Sequence, residues 1–213
     1  MVEPYYQDES CTIYNGDCRE ILPTLGRFDL LLTDPPYGIK WAGHGGSDRS
    51  WDVIHGDEST DAAKVIMCQI SENQDAVIWG ANKFTQLIPR KGRWICWDKR
   101  LTAEADKMLG SAFELAWENK QSGFDAMFRV LHGGVVNADG GKRFHPTQKP
   151  ILLFRKVLER YQDAKTILDP FMGSGTTLVA AKLEGRKAVG IEISEKYCEI
   201  AVNRLRQRVL QFD

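Results

Sequence analysis

"KTILDPFMGSGTTLVAAKLEGRKAVGIEI", residues 165–193, holds a complete structural unit. An apolar run ends at Asp169, and "MGSG" (172–175) turns the chain. "TTLVAAKLEG" (176–185) reads as a helix closed by glycine, and "KAVGIEI" (187–193) is a second strand. Gly173 and Gly175 let the backbone turn tightly where free N–H groups begin a helix, a place suited to an anionic or nucleotide-type ligand. No lysine follows the second glycine, which excludes the phosphate loop of nucleotide hydrolases. The third glycine of the dinucleotide fingerprint is missing, yet an acid, Glu192, stands about 20 residues on, where it can accept from ribose hydroxyls. A ribose-containing ligand without a pyrophosphate fits this pattern best. The plainer reading, a sharp turn beside a surface acid, suffices for a lone glycine pair but not for this coincidence of strand, acid, glycines, helix, strand and acid.

Outward from this unit the same alternation continues. "CTIYNGD" (11–17) and "FDLLLTD" (28–34) read as strands, with a helix "CREILPTLG" (18–26) between them. "TDAAKVIMCQISEN" (60–73) is helical and "AVIWGAN" (76–82) a strand. "GRWICWDK" (92–99) and "AFELAWENK" (112–120) are aromatic, β-branched runs that alternate as strands do, with a helix expected over 102–110. Residues 120–147 show no period and read as a loop or small insertion. "ILLFRKVLERYQ" (151–162) is helical, with Ile151, Phe154, Leu158 and Tyr161 on one face, and a closing helix is expected over 194–209. Strands apolar on both faces belong to parallel sheets covered by helices on each side. The expected fold is therefore α/β, a doubly wound, mostly parallel sheet whose ligands bind at the carboxyl ends of the strands. Three such ends carry unusual residues: Asp17, Asp34 with its two prolines, and Asp169 with its glycines.

Composition bounds the rest. A chain of 213 residues with 43% hydrophobic residues supports one domain with a sizeable core. The 28 basic residues nearly balance 29 acidic ones, so any nucleic-acid affinity must come from a local basic patch. Five scattered cysteines lack metal or redox spacing and read as reduced thiols of a cytoplasmic protein. No apolar run approaches membrane-spanning length, so no membrane association is expected.

"TDPPYG" (33–38), "HPTQKP" (145–150), "DPFMGSGTT" (169–177) and "VGIEI" (189–193) stand together in one order. In that order the chain resembles the amino-methylating DNA methyltransferases that use S-adenosylmethionine. The resemblance is to their circularly permuted group, in which DPPY precedes the FxGxG motif, and it spans nearly the whole chain. It implies a Rossmann-like methyltransferase fold occupying 1–213 as a single domain, with a target-recognition insertion at about 98–145. It further implies that Asp169, Phe171, Gly173, Ser174, Gly175, Thr176 and Thr177 line the methionine end of the cofactor, with Glu192 on its ribose. Asp17 and Cys18 would edge the adenine, although Asp17 also reads as an N-cap. Thr147 and Lys149 would flank the cofactor carboxylate. If the last strand inserts between "KTILDPF" and "CTIYNGD", the first and last elements become sheet neighbours, and permuting the termini costs the fold little.

The family's target is an exocyclic amine, whose lone pair is delocalised into the base. An acceptor for each amine hydrogen would draw the nitrogen toward tetrahedral geometry. Asp34 is assigned the first acceptor and the Pro35 carbonyl the second. Pro35 and Pro36 fix the turn and remove two N–H donors. Tyr37 offers a stacking face worth roughly 1–3 kcal/mol against the few kcal/mol of extruding a base. An unperturbed aspartate, with a pKa of about 3.9, is too weak to deprotonate a neutral arylamine, so Asp34 accepts a proton only after transfer. Neither a covalent cysteine intermediate nor a metal is needed. Within the family, Asp before PPY goes with adenine N6 and Ser with cytosine N4, so adenine is expected.

For DNA contact the candidates are Trp41, in the loop after DPPY, and the basic residues Lys99, Arg100 and Arg143. The recognition segment is short. Either the target sequence is brief, specificity is modest, or a second subunit, as in a homodimer, helps to grip the duplex. The competing readings are a cytosine-N4 methyltransferase, a non-catalytic DNA-binding protein that keeps the fold, and a dinucleotide oxidoreductase, which leaves DPPY unexplained.

Overall fold

The computed structural model of the protein describes residues 2–38, 59–70, 74–100, 111–131 and 148–207. Nine strands form one sheet: β1 (Tyr6–Gln7), β2 (Cys11–Asn15), β3 (Leu30–Thr33), β4 (Asp75–Trp79), β5 (Arg93–Asp98), β6 (Phe113–Glu118), β7 (Ala126–Arg129), β8 (Thr166–Asp169) and β9 (Lys187–Glu192). The helices are α1 (Cys18–Ile21), α2 (Asp61–Gln69), α3 (Ile151–Glu159), α4 (Thr176–Leu183) and α5 (Glu195–Arg206). The sheet order is β1-β2-β9-β8-β3-β4-β6-β5-β7. From β2 to β4 every pairing is parallel, whereas β6 joins antiparallel to both β4 and β5.

The three leucines of β3 show why such a strand is apolar throughout. Leu30 and Leu32 enter one core with residues of α3, α4 and α5, while Leu31 enters a second with residues of α1 and α2. β4 divides in the same way, with Val77 and Trp79 on the first side and Ala76 and Ile78 on the second. Alternate side chains leave opposite faces of a strand, so both faces must be covered. Each fully buried leucine is worth about 1.5–3 kcal/mol.

Strand β9 lies between β8 and β2, the arrangement in which the first and last parts of the chain become sheet neighbours, and β3 lies against β8. At the β9 crossing Gly190 leaves room for α4: a Cβ there would lie 2.9 Å from a Leu178 methyl and closer still to the Met172 sulfur. The chain winds from β8 through α4 to β9 on one side and from β3 through α2 to β4 on the other. The crevice of the sheet therefore opens between β8 and β3.

Three expectations change. β7 is a strand within a stretch read as loop; it pairs in parallel with β5, and its four residues are too few to show a period. β1, with two residues, escapes notice for the same reason. On α3 the buried stripe is Leu153, Phe154, Val157 and Leu158, with Ile151 only half-buried and Tyr161 buried beyond the helix end. The helix expected over 102–110 lies outside the described residues, and only part of the 98–145 segment lies within them.

Candidate active site

Across the sheet the carboxyl ends of β2, β9, β8, β3 and β4 bring together Asp17, Glu192, Asp169, Asp34 and Gly80 in that order. The two halves of the site, 135 residues apart in sequence between Asp34 and Asp169, are directly joined. The Thr33 hydroxyl donates to Asp169 Oδ1 at 2.8 Å, and the Thr177 hydroxyl donates to the other oxygen. The Phe171 N–H adds a third bond at 3.1 Å. Burial pushes the Asp169 carboxyl up to about 6 despite these donors, and the nearby Asp34 adds to the rise.

The glycine turn is built as the sequence suggests. Gly173 and Gly175 have φ of 50° and 78°, left-handed values that suit glycine. The Gly173 N–H donates to Glu192 Oε2 at 3.0 Å and the Ser194 N–H to Oε1 at 2.9 Å. Burial raises Glu192 to about 7, with Asp169 contributing. Among the described residues, Asp169, Glu192 and Asp34 stand at adjacent strand ends, and the cation at that end of the sheet, Lys149, is held by Asp34. That donor set fits a ligand with a positive centre and ribose hydroxyls.

Several expected contacts are otherwise engaged. Arg204 of α5, buried beneath the turn, donates to the Ser174 carbonyl at 2.6 Å, the Ser174 hydroxyl at 3.1 Å and the Thr176 hydroxyl at 3.1 Å. The side chains of Ser174, Thr176 and Thr177 therefore brace the turn. Sequence reasoning misses Arg204. The available signal is an arginine on the apolar face of α5, in line with Cys198, Ala201 and Leu205. Asp17 caps α1 through the Arg19 N–H at 2.8 Å and also binds the Arg19 guanidinium, which holds its carboxyl below the usual range. Cys18 packs into the second core, where burial raises its thiol to about 11.

At the DPPY end of the site, Asp34 follows β3 with Pro35 buried beside it. Tyr37 lies against Gly80, where any Cβ would overlap its ring. The Tyr37 hydroxyl donates to Asp34 Oδ1, and the Lys149 ammonium binds Asp34 Oδ2. Lys149, only 4% exposed, also lies 3.2 Å from the Tyr37 oxygen and 3.3 Å from Glu114. The sequence reading places Lys149 at the cofactor carboxylate. In the structure it is a buried cation between Asp34 and Glu114, because a buried ammonium needs carboxylate partners. Burial raises Asp34, against the opposing pull of Lys149. Burial alone would lower Lys149, but Asp34 and Glu114 together raise it.

Of the DNA candidates, Lys99 pairs with Glu114, and Arg100 pairs with Asp98 at 3.1 Å. Trp41, Arg143 and Thr147 lie outside the described residues.

The architecture is that of the α/β methyltransferases. PvuII DNA methyltransferase, described as cytosine-N4-specific, superposes with a TM-score of 0.66 at 16% identity, covering 98% of this chain and 91% of that one. M1.HpyAVI in its complex with SAM gives 0.58 at 20% identity over 92% and 100% of the two chains. By sequence, the chain is 28% identical to the type II methyltransferase M.HinfI of Haemophilus influenzae, over 97% of its own length and 71% of that protein's. The DNA methylase family matches residues 97–203, half of the chain, and the protein belongs to that family.

Proposed function

We propose that the protein transfers a methyl group from S-adenosylmethionine to the exocyclic N6 of an adenine flipped out of DNA. One observation carries the reading: Asp34, an acid with a donor on each oxygen, sits one strand from the glycine turn, and Thr33 and Asp169 bond the two halves together at 2.8 Å.

Bound in the crevice, the cofactor supplies an electrophilic sulfonium methyl. Glu192 would hold its ribose, the main chain of 173–175 its methionine end and the Asp17–Cys18 corner its adenine. The Tyr37 ring receives the base, and its hydroxyl gives up Asp34 Oδ1 so that the amine can donate there. The Pro35 carbonyl takes the second amine hydrogen. With both hydrogens engaged, the nitrogen lone pair is free to form the new N–C bond as the methyl–sulfur bond breaks, its electron pair returning to sulfur so that a neutral thioether leaves. The nitrogen then carries the positive charge and passes one proton to Asp34. Burial improves that step, since a carboxyl raised above about 3.9 is a better proton acceptor than the unperturbed group assumed from sequence.

Recognition of the target is assigned to residues of about 98–145, and the motif order corresponds to the circularly permuted group. Incubating the protein with labelled cofactor and duplex DNA, then separating the nucleosides, tests the reading. Label in N6-methyladenosine is expected. Label in N4-methylcytosine would move the target to cytosine, and label in neither would refute methyl transfer to DNA.

A further inference from the structure

We propose that Glu114, on β6 and outside every motif, is a positioning residue for methyl transfer that acts on Asp34 through Lys149. The proposal rests on the function assigned above, and the geometry is an alternating row of charge. Lys99 binds one oxygen of Glu114, and Lys149 lies 3.3 Å from the other. Lys149 in turn binds Asp34, whose second oxygen holds the Tyr37 hydroxyl. Lys99 is itself fixed 4.8 Å from the centre of the Trp97 ring, and Lys149 lies 5.6 Å from the Trp79 ring and 5.9 Å from the Tyr37 ring. The row runs along packed groups, Lys149 buried at 4% exposure and Lys99 and Asp34 at 19%, with Glu114 the most exposed at 32%, so solvent screens it less than it would a surface row.

The consequence is a division of one ammonium between two acids. Glu114 draws Lys149 partly away from Asp34, leaving Asp34 a better hydrogen-bond and proton acceptor than it would be in an exclusive ion pair. Lys99 limits that draw by neutralising Glu114 from the other side. The Glu114 carboxyl is accordingly held down at about 2 by Lys149 and Lys99 although burial alone would raise it. Among the described residues, the charged or titratable groups that act on Asp34 are thus Lys149 before α3, Glu114 on β6, the Tyr37 hydroxyl on its own turn and Asp169 on β8, with Lys99 acting at one remove.

Two substitutions shift this balance in opposite directions, which a purely structural role would not do. Glu114→Gln keeps the shape and removes the charge, so Lys149 moves fully onto Asp34. The acid limb of the kcat–pH profile and the Asp34 carboxyl titration, followed by carbon NMR of labelled aspartate, both shift down by about one pH unit. Lys99→Met frees Glu114 to hold Lys149 more tightly, and both readouts shift up. At neutral pH kcat of Glu114→Gln falls roughly tenfold, the weight of about one pKa unit, while the cofactor Kd is unchanged. Unshifted or same-direction titrations in the two variants overturn the proposal. Should Glu114→Gln not fold, an unshifted Lys99→Met does so alone. The carboxyl titration needs no turnover, so a wild type that methylates no DNA would refute the assigned function while the NMR arm still decides the coupling.

Discussion

Gly175 is the N-cap of α4, and its tolerance to a single methyl group can be worked out from the structure. Its φ of 78° places an L-residue in the left-handed region, at a cost of about 1–2 kcal/mol. A Cβ there would also lie 2.7 Å from the Ala201 Cβ on α5. Neither group is the end of a flexible side chain, so helix or turn must shift, at roughly 1–3 kcal/mol for overpacking. Gly175→Ala should therefore destabilise by about 2–5 kcal/mol and lower Tm by roughly 4–20 °C, at 2–4 °C per kcal/mol for a chain of this size. Ala201→Gly alone should cost about 1 kcal/mol for glycine within a helix. In the double variant the collision is gone and only the backbone terms remain, so it should be about 1–3 kcal/mol more stable than the sum of the two single changes. Urea unfolding with a constant m-value measures each corner of the cycle. The displaced turn should also weaken S-adenosylmethionine binding in Gly175→Ala, with recovery in the double variant. Additivity within about 0.5 kcal/mol would show that the two residues do not meet as described.

Three further outcomes are expected. Asp34→Ala should reduce methyl transfer by at least about a thousandfold, the scale of a lost acid–base group, while calorimetry shows S-adenosylmethionine still bound; full activity would refute the mechanism. Hydroxyl donors on Glu192 favour its ionised form, so cofactor affinity should weaken as pH falls through about 7, and Glu192→Gln should bind more weakly and lose the pH dependence centred there. Glu118 is fully buried at the opposite end of the sheet, where it accepts from Arg160 at 2.7 Å and Tyr161 at 2.6 Å and pairs with Arg93 at 2.9 Å. Glu118→Ala should cost about 3–5 kcal/mol in urea unfolding by stranding two guanidinium groups, and leave the cofactor Kd of the folded fraction unchanged.

The sequence by itself determined the sheet's parallel centre, the helices on each face, and the strand ends at which acids gather. Continuous apolar strands such as β3 can be buried only between two helical layers, and the glycines at 173 and 175 have a conformation that no other residue adopts without strain. These are local constraints, written in single residues and short periods. β7 was not legible, because a four-residue edge strand owes its existence to the ladder it makes with β5. Nor was Arg204, whose role comes from the packing of α5 beneath the glycine turn. Only the tertiary structure decided the partners of charge. Lys149 is placed on Asp34, 115 residues away, and Glu114 between two lysines, since a buried ion takes whichever opposite charge the fold brings within reach. The stretch "TDPPYG" therefore announces an acid at a strand end, but the charges that surround it come from β6 and from the segment before α3, which no motif connects to it.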